Sequence, residues 1–172
     1  MKKTVLILFS IVLMQIAIGC LETNDGTFTE PITIYEKVGG TWVLTKLTLT
    51  DEIAAASASK PDAMILTNNL NFKTFNFVLN LDELFAPTTF EVKGSSPELF
   101  LKSGYWDLSN PFPNTDGTAV KLQLYSDASK TKLIDFLEIK ALPGSRAVMD
   151  IALTRQSNNI PYVTYQYSLK LQ

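Results

Sequence analysis

The chain has 172 residues, no histidine, a single cysteine (Cys20) and a formal net charge of −2. The missing histidine removes the commonest general base and metal ligand, and one cysteine cannot form an internal disulfide. Past the N-terminus the basic residues form no cluster, which excludes the phosphate-neutralising surface of a nucleic-acid binder.

Lys2 and Lys3 open the chain, an apolar run over residues 4–18 is broken only by Ser10 and Gln15, and Gly19-Cys20 follows. A charged start followed by an apolar run is the layout of a secretory signal, too short and wrongly flanked for a spanning helix. Ala17-Ile18-Gly19-Cys20 resembles the lipobox of bacterial lipoproteins, with Ala17 where a large aliphatic residue is usual. The resemblance implies that residues 1–19 are removed, and that Cys20 is acylated and anchors the protein in the outer membrane of the cell envelope. Each buried methylene of the acyl chains contributes about 0.8 kcal/mol. The remaining 153 residues carry thirteen basic and seventeen acidic side chains, a net charge of −4, and suit one domain. Residues 20–31, with Glu22, Asp25, Gly26 and Glu30 and little to bury, read as a tether. Acidic residues soon after the cysteine resemble the surface-export signal of Bacteroidetes lipoproteins, which implies display on the cell surface. The folded domain is expected over residues 32–172.

Residues 32–38 suit one helical turn with Ile32, Tyr35 and Val38 on one side. Gly39-Gly40-Thr41-Trp42 then opens a first strand over residues 43–50, around which the rest is organised. Trp42 and Leu44 share a parity while Leu47 and Leu49 take the other, so a bulge is expected near Thr45-Lys46. Residues 51–69 make the longest connection, a partial lid. Asp51 caps a short helix over residues 53–58, and Pro61 ends it. A second strand over residues 70–81 switches parity near Lys73-Thr74. Strands three and four cover residues 89–94 and 103–108. The run from Pro111 to Gly117 breaks regular structure, with Asp116-Gly117 a turn signal. Strands five to eight cover residues 120–125, 132–142, 149–154 and 163–171, joined by turns at 126–130, 142–145 and 156–159. In strand six Leu133, Leu137 and Ile139 share a face with Asp135.

Eight strands joined mostly by short turns hide their edges best as a closed antiparallel up-and-down barrel, an all-β fold in which the last strand pairs with the first. A two-sheet sandwich needs longer crossovers. Gly40-Thr41-Trp42, the helical turn before it and the late Arg155 resemble the first strand and closing arginine of lipocalins and related calycins. The whole mature chain is similar to lipocalin-like lipoproteins of Bacteroidetes classed as a domain of unknown function. The resemblance implies a barrel closed at one end by Gly40 and Trp42, with Arg155 stacked on the Trp42 ring. It implies no reaction.

The sequence offers little chemistry. With Cys20 acylated no nucleophilic thiol remains, and no metal or cofactor is expected. Asp51-Glu52, Asp82-Glu83, Asp107 and Asp116 supply carboxylates of the kind glycosidases use. Each lies beside a turn or strand end, and no spacing pairs an acid with a base. Asn114-Thr115-Asp116-Gly117 lacks the further acidic positions of a calcium loop and reads as an ordinary turn. Tyr105, Trp106, Phe112 and Tyr162 fall near strand ends or loops, where they are candidates to rim a cavity mouth or to stack on a sugar, as against filling core. The expected function is therefore non-enzymatic: a small apolar or amphipathic ligand, or a glycan, held in the barrel of a membrane-anchored lipoprotein. The alternative is a structural or accessory lipoprotein that docks on a membrane-protein partner in an outer-membrane, glycan-handling assembly.

Overall fold

Thr33, just outside the first helix, accepts from the Glu36 amide, and the Glu36 carboxylate accepts from the Thr33 amide at 3.0 Å. This reciprocal cap starts α1 (Ile34–Val38) and leaves Ile32 outside the helix, on the surface. The buried pair is Ile34 and Val38, one turn apart; of the expected face of Ile32, Tyr35 and Val38, Ile32 is exposed and Tyr35 only part-buried. This computed structural model describes residues 31–172; the expected signal, Cys20 and the tether up to residue 30 lie outside the described residues. Among the described residues no helix is long and apolar enough to cross a membrane.

The strands follow as β1 (Gly40–Asp51), β2 (Ala63–Ile65), β3 (Asn76–Leu81), β4 (Pro87–Lys93), β5 (Ser103–Leu108), β6 (Lys121–Tyr125), β7 (Leu133–Ala141), β8 (Val148–Ser157) and β9 (Ile160–Leu171). Between β1 and β2 lies α2 (Glu52–Ala56). Except for β2, each strand pairs antiparallel with the next, and β9 returns to β1 from the Trp42–Leu171 rung to the Asp51–Val163 rung. The result is the expected closed eight-stranded antiparallel barrel, in which closure removes every long free edge. The small ninth strand, β2, lies alongside Thr48, Leu49 and Thr50, where β3 has already left β1.

The bulge falls where the parity change required it. The β1–β9 register skips from Leu44 to Lys46, and Thr45 turns its hydroxyl to the Ser168 carbonyl at 2.8 Å. Trp42, Leu44 and Leu47 can therefore all face the core from one strand. Asp51 caps α2 as expected, its carboxylate accepting from the Ile53 and Ala54 amides at 3.0 and 2.9 Å. The helix ends at Ala56, well before Pro61.

The second expected strand is the main correction. Residues 70–74 are not extended: Leu70 and Asn71 have positive φ, and Phe72–Thr74 form a 3₁₀ turn that tucks Phe72 into the core. The strand begins only at Asn76. The turn between β8 and β9 is a two-residue hairpin with Asn158 and Asn159 both left-handed, a conformation asparagine tolerates.

Candidate functional site at the barrel mouth

The two ends of the barrel are built differently. At one end α1 lies across the opening, with Ile34 and Val38 buried. The Trp42 indole donates to the Val38 carbonyl at 2.7 Å, and the Trp106 indole donates to the Asn80 carbonyl at 2.9 Å. Both rings are fully buried, and Tyr35 meets Trp106 edge-on at 5.9 Å between centroids. Gly40, at φ 129°, lets the chain enter β1 where a Cβ would lie 2.8 Å from Leu171. This is the closed end, and Gly40 and Trp42 both lie there.

Outside the Trp106 ring a polar clamp ties α1 to the wall. The Tyr35 hydroxyl donates to Asp107 Oδ1 at 2.6 Å, and Lys130 Nζ donates to Asp107 Oδ2 at 3.0 Å and to the Pro87 carbonyl at 2.9 Å. Burial pushes the Asp107 carboxyl up, but the Tyr35 and Lys130 hydrogen bonds outweigh it and hold the group below the usual aspartate range. Burial and the neighbouring carboxylate push the Tyr35 phenol up.

The other end, the mouth, is closed by a segment without regular structure, residues 94–101 between β4 and β5. Gly94 starts it at φ 105°, so close to Thr74 that a Cβ would sit 2.2 Å from the Thr74 carbonyl oxygen. The Ser95 amide is held by the Thr74 hydroxyl at 3.0 Å. From this root the segment drops Phe100 into the barrel, edge-on to Phe75, Phe77 and Tyr167 at 6.2, 5.7 and 6.1 Å. The space left around Phe75, Val92, Phe100 and Tyr167 is about 10 Å³, room for about one water.

An ion pair grips this plug from the far wall. Asp135 on β7 and Arg155 on β8 lie on the inward parity of their strands, in step with Leu137 and Leu153. Their side chains meet at 2.8 Å and are 13% and 34% exposed, and Arg155 also donates to the Leu99 carbonyl. Burial, and after it Tyr165, raises the Tyr167 phenol pKa, while Arg155 works against the rise.

Arg155 is thus not the lid of the closed end. It stands on the rung of Val163 and Asp51, whereas Trp42 stands on the rung of Leu171. Eight β9 residues separate the two rungs, roughly 27 Å along the strand, too far for stacking. At the mouth Phe100 and its neighbours leave about 10 Å³ in this conformation, too little for a small organic ligand. In the long connection over residues 51–69, which leaves β1 at the mouth end, Leu66 packs against the core. Its β2 extends the wall beside β1, and the plug comes from a segment that drew no functional reading from the sequence. The signal for it was the apolar Leu99-Phe100-Leu101 run inside a loop.

The four aromatic candidates do not form one rim. Trp106 is core at the closed end, and Phe112 is partly exposed in the loop after β5 at that same end. Tyr105 is half-buried in the wall, opposite Thr89 and Tyr125. Tyr162 alone stands at the mouth, exposed at the start of β9. Its company there is aliphatic: Ile53, Met64, Leu133, Ile134 and Ile160 are all exposed at this end.

The four aspartates weighed for glycoside chemistry are engaged in local structure. Asp51 caps α2, Asp82 accepts from the Leu84 and Ala86 amides, Asp107 is clamped, and Asp116 accepts from the Thr118 amide and hydroxyl. Among the described residues no three metal-ligating side chains come together. A cleft of about 490 Å³, open to solvent, lies between the Pro113 to Val120 stretch and the end of β7, with Asn114, Thr118 and Lys140 on its edge. It is at the α1 end, where β6 and β7 part beyond the Val120–Ile139 hydrogen bond. No curated protein and no solved structure matches the chain. Residues 19–170 match the family described as a domain of unknown function, DUF5004, and the chain belongs to that family.

Proposed function

We propose that this protein is a non-enzymatic, membrane-tethered lipoprotein of the outer membrane, displayed at the cell surface, that takes an apolar or amphipathic ligand into its lipocalin-like barrel through the mouth. The observation that carries the reading is how the mouth is closed. A loop fills it with one phenyl ring, and a charged pair on the opposite wall holds the loop by a single carbonyl. Behind Phe100 lie the faces of Phe75, Phe77 and Tyr167, an apolar lining suited to a ligand that takes the place of the ring. Displacing the loop is the step that makes room, since pockets for small ligands run to about 300 Å³ or more.

A titration with the environment-sensitive probe N-phenyl-1-naphthylamine tests the reading, using Cys20→Ala protein to remove membrane background. Saturable binding near one probe per barrel, tightened by Arg155→Leu, is expected. Absence of binding in both Cys20→Ala protein and its Arg155→Leu derivative would overturn it.

A second reading is favoured by the exposed Ile53, Met64, Ile160 and Tyr162 around the mouth. These side chains suit an accessory lipoprotein docked on a larger outer-membrane assembly. Photo-crosslinking from position 160 in intact cells tests that reading: a discrete adduct supports it, and none removes its basis.

A further inference from the structure

We propose that the α1 end of the barrel rests on the lipid surface, with Leu84 and Phe85 entering the boundary between headgroups and acyl chains. The proposal builds on the lipoprotein reading of Cys20. The turn from β3 to β4 is held rigid by one side chain: Asp82 Oδ1 accepts from the Leu84 amide at 2.9 Å and from the Ala86 amide at 2.8 Å. The Asp82 amide donates to the Ala86 carbonyl at 2.9 Å, which closes the turn from the backbone side. At the apex Leu84 is 86% exposed and Phe85 is 55% exposed. Phe85 has φ 60°, the left-handed conformation that glycine and asparagine adopt readily and bulky residues rarely do. A turn of this geometry is ordinarily built from small polar residues. Here it presents two large apolar side chains to water, and backbone strain of that kind collects where a side chain has a task.

The occupant is identified by the direction of the chain. The fold begins at Ile32, which is 63% exposed and directly precedes the cap of α1. The Ile34 amide bonds the Pro111 carbonyl, which places Phe112, 41% exposed, beside that starting point. Leu81 packs on Gly39 at the other end of α1, so the apex of the β3–β4 turn flanks the helix on its far side. Eleven residues, 21–31, join Cys20 to this end, a reach of at most about 40 Å when extended. The mouth lies a further strand length away, with the twelve residues of β1 spanning roughly 40 Å along a tilted strand. An acylated Cys20 therefore holds the α1 end near the bilayer far more readily than the mouth. Glu83 stands between Asp82 and Leu84, so the apex itself carries no cation and its contact with lipid is apolar, which a zwitterionic surface suffices to test.

The test uses full-length acylated protein in vesicles of phosphatidylcholine. Cys20 is the sole cysteine and carries the lipid, so Phe85→Cys or Ile160→Cys adds one free thiol for a nitrobenzoxadiazole label. The label at position 85 is expected to shift to the blue and to be quenched severalfold by brominated acyl chains, while the label at 160, at the mouth, stays water-like. Leu84→Cys serves as a second reporter of the same apex. Protein that floats with the vesicles but leaves positions 84 and 85 in water, or quenches position 160 instead, overturns the orientation alone. Protein that fails to float overturns the anchor reading and the orientation with it.

Discussion

Both ends of this barrel are filled with aromatic side chains, yet they are filled by different means. At the closed end Trp42 and Trp106 belong to strands, and each indole N–H is committed to a backbone carbonyl under a capped helix. At the mouth the ring comes from Phe100, on a segment with no regular structure, rooted at Gly94 and gripped at the Leu99 carbonyl. Opening the first requires taking apart the β1–β9 closure, which is the whole fold. Opening the second requires breaking one ion-pair grip and exposing one phenyl group, a local event of the kind that ligand-binding loops undergo.

The largest expected effect lies at the closed end. Trp42→Ala removes a fully buried indole from a rigid setting and should cost about 3 to 5 kcal/mol in urea denaturation. Phe100→Ala should cost less, about 2 to 3 kcal/mol, close to the transfer term alone, because the loop can settle into the space it leaves. Equal losses would erase the distinction between the ends. Arg155→Leu leaves Asp135 without its cation and should cost about 1 to 2 kcal/mol, below the fully buried case because the guanidinium keeps a third of its exposure. The same change should raise apolar-probe affinity, which a purely structural ion pair would not do.

The clamp on α1 sets a pH dependence for the closed end. Asp107 has a depressed pKa in the folded state, so its contribution is fully present above the ordinary aspartate value of about 3.9 and is lost as pH falls below it. Asp107→Asn should flatten the acid limb of stability, measured as urea midpoints between about pH 5 and pH 3. Tyr35 has a raised pKa, so its contribution is intact below about pH 10 and declines as the pH climbs beyond it. Tyr35→Phe should remove that decline. The smallest effect is expected at the mouth surface, where Ile160→Ser with Tyr162→Ser should alter stability by no more than about 0.5 kcal/mol per site.

Much of the fold was legible because a barrel strand writes its two faces at period two. The parity change across Trp42, Leu44, Leu47 and Leu49 calls for a bulge near Thr45-Lys46, where the β1–β9 register shifts. The same rule misread residues 70–74, where Leu70 and Phe72 alternate by coincidence. A left-handed Asn71 and a 3₁₀ turn, which leave no period-two trace, place Phe72 in the core. The mouth was harder to read because its parts lie on three separate stretches. Asp135 shows its inward parity in the sequence, but its partner is set by the β7–β8–β9 register, and the plug looks like an ordinary loop until Phe100 is seen inside the barrel. Arg155 was legible only as an arginine late in the chain; its inward parity comes from the length of β8. Its assignment to Trp42 followed the resemblance to lipocalins, and the rung positions show that it lies at the opposite end.

Native-state hydrogen exchange tests the contrast between the ends most directly, by comparing the Ser95 amide at the root of the plug with the Trp42 indole N–H. The Ser95 amide is expected to exchange through a low-energy opening that is insensitive to denaturant and accelerated by Arg155→Leu, while the Trp42 indole exchanges only with global unfolding. Equal opening energies at the two sites, unchanged by Arg155→Leu, would contradict a barrel sealed at one end and latched at the other.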